Sequence, residues 1–174
     1  MKYLFSFLLS FLLLSISCKK EASQKDNIVS KTGMDTSTKH AKSTDLEKDP
    51  RKQIKDWKEY FIAEDFIKQF ENTTATEALN NAIELKTLTK QLKDSLNIDI
   101  LRTPAFKARM NVFENEVLRL ADMTYIPSIP SKEVNSQVAK ILALFGSMNT
   151  KINTVYAKRK FDKAIKLDSL FNFK

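Results

Sequence analysis

Along most of this chain the apolar positions recur at alternating steps of four and three residues, a rhythm that predicts helices. Between Ala75 and Leu96 the repeating positions are Ala78, Ala82, Leu85, Thr89, Leu92 and Leu96. Between Pro104 and Thr124 they are Phe106, Met110, Phe113, Val117 and Leu120. Between Ser131 and Tyr156 the series runs Val134, Val138, Ile141, Phe145, Met148, Ile152 and Val155 without a break. A strand would alternate every second residue, and none of these stretches does. A period near 3.5 belongs to helices that pack almost antiparallel, with their stripes facing one another.

A fourth helix is expected ahead of these, over about Pro50–Asn72. Its bulky residues Ile54, Trp57, Tyr60, Phe61, Phe66, Ile67 and Phe70 cover too wide an arc for one seam, so it should touch two partners. Local punctuation agrees. Asp49-Pro50 and Thr103-Pro104 each set a capping side chain before a proline suited to a first turn, and Thr74-Ala75-Thr76-Glu77 fits a capping box. Pro127 and Pro130 mark the loop Tyr125–Ser131. The expected fold is therefore all-α: an antiparallel up-down-up-down four-helix bundle over 49–174, ending in a long C-terminal helix.

The first 48 residues follow another pattern. Met1-Lys2 precede an apolar run from Tyr3 to Ile16, which ends at Ser17-Cys18. That run, about 14 residues, falls short of the ~20 needed to span a bilayer and reads as a secretory signal peptide over 1–17. From residue 19 to about 48 apolar residues are sparse while Ser, Thr, Lys and Asp dominate, which predicts a disordered tether over 18–48. His40 lies in that tether and reads there as a solvated side chain.

Composition narrows the chemistry. With two glycines and four prolines in 174 residues, the chain is too poor in turn formers for a sandwich or barrel. One cysteine and one histidine exclude a disulfide framework and a thiolate zinc site within a single chain, and no cofactor is expected. Di-iron bundles need two Glu-x-x-His pairs, and covalent haem needs Cys-x-x-Cys-His; neither occurs. Glu77, Glu84, Glu114 and Glu116 sit outside the stripes, on expected solvated faces. There is no glycine-rich phosphate loop and no nucleophile elbow, so no catalytic activity is expected.

Cys18, the only cysteine, stands where the apolar run stops. Here Ser15-Ile16-Ser17-Cys18 resembles the end of a bacterial lipoprotein signal: Ile16 and Ser17 fit, while Ser15 replaces the usual leucine. Ordinary signal-peptidase cleavage is the alternative. The resemblance implies that Cys18 becomes the first residue and carries acyl chains that anchor it in a membrane. Lys19-Lys20-Glu21 loosely resembles the export tags of Bacteroidota surface lipoproteins. As a whole the chain resembles the small, uncharacterised lipoproteins of that phylum, which implies the cell envelope. The outer membrane is favoured because no aspartate follows Cys18.

Charge supplies the last clue. The full chain carries +8, and losing residues 1–17 removes only Lys2, leaving 28 basic against 21 acidic side chains, or +7. Export sets nucleic acid aside as a partner for that charge, and favours an anionic surface or an acidic envelope protein. After Val155 the stripe slips, since Arg159 falls where an apolar residue belongs. A new face of Ala157, Phe161, Ala164, Ile165 and Phe171 follows, flanked by Lys158, Arg159, Lys160, Lys163 and Lys166 as candidate contacts. The simplest packing puts Phe161, Ile165 and Phe171 on the Trp57/Phe61/Phe66 side of the first helix; the rival is a basic amphipathic helix lying on a surface. Gly146, set mid-stripe, predicts close approach of a neighbouring helix or ring, with a kink or hinge and a ligand contact as the alternatives. The leading function is a lipid-anchored envelope binding or accessory protein. Alternatives are a small-ligand carrier with an apolar cavity lined by Trp57, Phe106, Phe145 and Gly146, and a toxin-neutralising immunity-type lipoprotein.

Overall fold

In the computed structural model, residues 33–165 are described, and they are mostly helical. Six α-helices appear in this span: α1 (Lys48–Gln53), α2 (Lys58–Lys68), α3 (Ala75–Asn80), α4 (Ala82–Asp94), α5 (Pro104–Met123) and α6 (Ser131–Ile165). Two short strands, β1 (Thr38–Lys39) and β2 (Asn72–Thr73), pair antiparallel with Thr38 opposite Thr73.

The caps form where the side chains predict them. Thr74 Oγ1 accepts the Glu77 amide at 3.0 Å while Glu77 Oε2 accepts the Thr74 amide at 2.8 Å, and together they start α3. Thr103 Oγ1 accepts the Phe106 amide at 3.3 Å and starts α5, with Pro104 in its first turn. Asp49 differs. The cap of α1 is Glu47, and Asp49 and Pro50 lie inside the first turn, where a missing N–H breaks no helical bond.

The expected first helix is really two. It breaks at Ile54–Trp57: α1 packs against α6 and α2 packs against α4, while Tyr60 of α2 also reaches Phe145 of α6, so the wide apolar arc meets two partners. The second expected helix is interrupted only at Asn81, whose N–H still reaches the Glu77 carbonyl. Its stripe survives the interruption, with Ala78, Ala82, Leu85, Thr89 and Leu92 all buried. The stripes of α5 and α6 bury as their period requires up to Ile152, Val155 being half-buried, and those two helices pack along each other. At the centre, Tyr60 stacks on Phe145 at 5.7 Å between ring centres, Phe145 meets Phe113 at 5.8 Å, and Trp57 meets Phe106 edge-on at 6.4 Å.

The tether expected over 18–48 does not extend to 48. Its part over 18–32 lies outside the described residues, but from Met34 onward the chain is laid on the helices as an extended strap. Met34, His40, Ser43 and Leu46 are buried. Side-chain amides of α6 hold the strap. Asn135 Nδ2 donates to Thr38 Oγ1 at 3.1 Å, and Asn149 Nδ2 donates to the Thr44 carbonyl at 2.7 Å. Asn153 donates to the Asp45 carbonyl and accepts the Glu47 amide, both at 3.0 Å. The partners advance together, so strap and α6 run in parallel. The lengths agree: residues 135–153 of a helix rise about 27 Å, and residues 38–47 of extended chain span about 30 Å. Few apolar residues were needed because backbone and amide hydrogen bonds, with four buried side chains, hold the segment.

Gly146 is the point of closest approach. A Cβ built there would lie 2.8 Å from the Thr44 backbone nitrogen, so any side chain at this position would force the strap backbone to shift. Close approach was expected at Gly146, but the neighbour is the strap rather than a helix or ring.

Candidate functional site

The described chain begins at one end of α6, and a groove lies toward the other. Gly33, at a positive φ of 96°, sits against Ser131 at the start of that helix. The groove, about 710 Å³, lies between α1 and residues 156–164 of α6. Its apolar surface comes from Pro50, Tyr156, Ala157, Phe161 and Ala164. Lys52, Arg159, Lys160 and Lys163 ring it against two acids, Glu47 and Asp49. Asp49 is paired with Lys160 at 3.2 Å; Lys52, Arg159 and Lys163 make no ion pair among the described residues. Burial raises the Tyr156 phenol above its ordinary value, against a lowering by the nearby Arg159 charge, so it stays a protonated donor at neutral pH.

The sequence candidates separate cleanly. Arg159, Lys160 and Lys163 line the groove; Lys158 is exposed but does not, and Cys18 and Lys166 lie outside the described residues. Phe161 does not pack on α2. It is 61% exposed and borders α1 across the groove, while Phe171 lies outside the described residues. The aromatic surface reserved for it is already used: Phe61 packs edge-on against Tyr60 with the Arg51 guanidinium 5.2 Å over its ring, and Phe66 meets Phe70 at 5.8 Å. Trp57, Phe106, Phe145 and Gly146, proposed to line an internal cavity, are buried core positions. Their rings pack on aromatic neighbours, Trp57 Nε1 donates to Ser95 Oγ at 2.9 Å, and the strap fills the space beside Gly146.

Sequence reading missed a buried polar chain. Arg51 pairs with Glu64, which is only 1% exposed in all; the Tyr60 hydroxyl, 3.5 Å from Glu64 Oε1, donates to Asn149 Oδ1 at 2.8 Å. Burial, reinforced by the Glu64 charge, pushes the Tyr60 phenol far above its ordinary value, so it acts as a fixed donor rather than an acid. Every partner in this chain is internal, which suits holding the strap and α2 to α6. A periodic signal did exist. Asn135, Leu142, Gly146, Asn149 and Asn153 step by seven, four, three and four along α6, a second stripe beside the apolar one. Outside both features, a hollow of about 160 Å³ between α4 and α5 is bordered by Thr89, whose buried hydroxyl has no partner.

His40 is likewise not solvated. It is buried, its Nε2 has no hydrogen-bond partner, and burial lowers its pKa from the usual 6.5. The folded state therefore binds this proton less tightly than the unfolded chain does. The resulting stability is complete above the unfolded value and is lost as pH falls below about 6.5. Urea midpoints measured from pH 8 to pH 5 should decline more in the wild type than in His40→Phe. Parallel declines in the two proteins would refute this.

Among the described residues no helix is long and apolar enough to cross a membrane, and no group of three or more His, Cys, Asp or Glu side chains could hold a metal ion. No family model matches the chain, and no curated protein or solved structure matches it.

Proposed function

We propose that the protein is a lipid-anchored binding or accessory module of the cell envelope, held at the outer membrane through Cys18 and without catalytic activity. The observation that carries this reading is the placement of the groove. The chain joins the helices beside Ser131, whereas the groove lies 25–33 residues farther along α6, about 38–50 Å by helical rise. A basic, partly apolar groove toward the opposite end of α6 from Gly33 suits presentation of a contact surface away from an N-terminal anchor. The strap supports the same reading, because it ties the chain ahead of the helices along α6.

In topology the reading is of an antiparallel four-helix bundle built from α2, the α3–α4 rod, α5 and α6. Sequence neighbours pack as spatial neighbours, and the connections 95–103 and 124–130 are short enough for antiparallel pairs. The lack of catalysis is supported by the buried Tyr60–Glu64 pair being committed to internal partners.

The anchor is tested by intact-mass analysis of the membrane fraction. The expected mass lacks residues 1–17 and carries added acyl chains on Cys18. Cys18→Ala should move most of the protein out of the membrane fraction or stall its processing. A wild-type mature form that is soluble and unacylated overturns the proposal.

A further inference from the structure

We propose that the groove between α1 and the end of α6 binds a single-chain anionic amphiphile of the long-chain carboxylate type. Its head would sit among Arg159, Lys163 and Lys52, and its chain along Pro50, Tyr156, Ala157, Phe161 and Ala164. This names a ligand for the surface in the binding-module reading and rests on that reading only for the groove's role.

Three observations converge on this ligand class. The volume, about 710 Å³, falls within the roughly 300–1,000 Å³ of small-molecule sites. The lining is of two kinds: Pro50, Tyr156, Ala157, Phe161 and Ala164 are largely apolar, and among the charged residues four cations stand against two acids. Phe161 is 61% exposed, so a bound chain would cover apolar surface that water now touches. A neutral apolar ligand would leave the cations unused. A small anion would leave the apolar lining wet. An amphiphile satisfies both, and the Tyr156 hydroxyl adds a donor beside Arg159.

The test uses the chain from residue 18 to 174 with Cys18→Ser, which avoids detergent and contains the whole compact unit Lys31–Lys174. Decanoate, dodecanoate, tetradecanoate and hexadecanoate, kept below micelle formation, compete against anilinonaphthalene sulfonate. One saturable site is expected. Affinity should rise about fourfold per added CH₂ until the groove is full, as buried methylenes require. The matching alcohols should bind at least tenfold more weakly. Paired Arg159→Glu and Lys163→Glu, at exposed positions, should weaken binding at least tenfold without moving the melting midpoint. Ala164→Trp, which adds bulk to the apolar lining, should abolish the chain-length dependence.

Absence of saturable binding, equal affinity for the alcohols, or binding that survives both sets of variants overturns the proposal. So does binding only to phosphatidylglycerol vesicles, which would make the surface a bilayer contact. Binding seen only after residues 166–174 are deleted would make the chain's own terminus the occupant. None of these outcomes depends on whether Cys18 is acylated, so failure here and failure of the anchor remain distinguishable.

Discussion

Asn149→Ala is expected to cost the domain roughly 3 kcal/mol, because the buried Tyr60 hydroxyl and the part-buried Thr44 carbonyl lose a partner at once. The Thr44 carbonyl loses the Asn149 Nδ2 donor at 2.7 Å, and the Tyr60 hydroxyl loses its Oδ1 acceptor at 2.8 Å. Each such orphan costs about 1–3 kcal/mol, and the helix itself prefers alanine by only about 0.7 kcal/mol or less. For a domain of this size the melting midpoint should drop by about 10 °C. Tyr60→Phe removes the hydroxyl and one of the two orphans, so in that background the Asn149→Ala penalty should shrink by about 1 kcal/mol or more. A loss below about 1 kcal/mol in the wild-type background would mean that α6 does not hold the strap through this amide.

The second large effect is expected at Gly146, with a sign opposite to helix propensity. In an exposed helix interior, Gly→Ala gains about 1 kcal/mol. Here the new Cβ would fall 2.8 Å from the Thr44 backbone nitrogen, and a backbone atom cannot step aside as a side-chain tip can. Gly146→Ala should therefore destabilise the domain, and Gly146→Leu should cost about 1–3 kcal/mol or more and lift the strap. Trypsin reads the difference directly. Cleavage after Lys42, which is exposed on a held strap, should accelerate at least tenfold in Gly146→Leu while α5 and α6 stay protected. A stabilising Gly146→Ala would refute the close approach.

Both predictions fall on the strap, where sequence reading and structure part most clearly. Helical stripes are legible in one dimension because a helix repeats its burial every three to four residues, so Phe106–Leu120 and Val134–Ile152 announce their own faces. The caps Thr74 and Thr103 are equally local, since a side-chain oxygen and an amide three residues on satisfy each other wherever the helix lies. The strap has no such period. Its residues Lys39–Asp45 look solvated because part of what holds them is the Thr44 and Asp45 carbonyls bonded to Asn149 and Asn153, about a hundred residues away. His40 reads as solvated for the same reason: polarity describes a side chain, while burial depends on what lies over it.

The site divides along the same line. The cations from Lys158 to Lys163 were recognised as exposed contacts because they interrupt an apolar stripe, a feature internal to one helix. That only some of them face a groove, and that α1 supplies its other wall, follows from the break at Ile54–Trp57, which no local signal marks. Local order therefore determined the helical class, the stripes, most caps and the basic end of α6. Tertiary structure alone decided the strap, the Arg51–Glu64–Tyr60–Asn149 chain and the groove. Each of these joins segments distant in sequence, and pairing at a distance leaves no period for a one-dimensional pattern to carry.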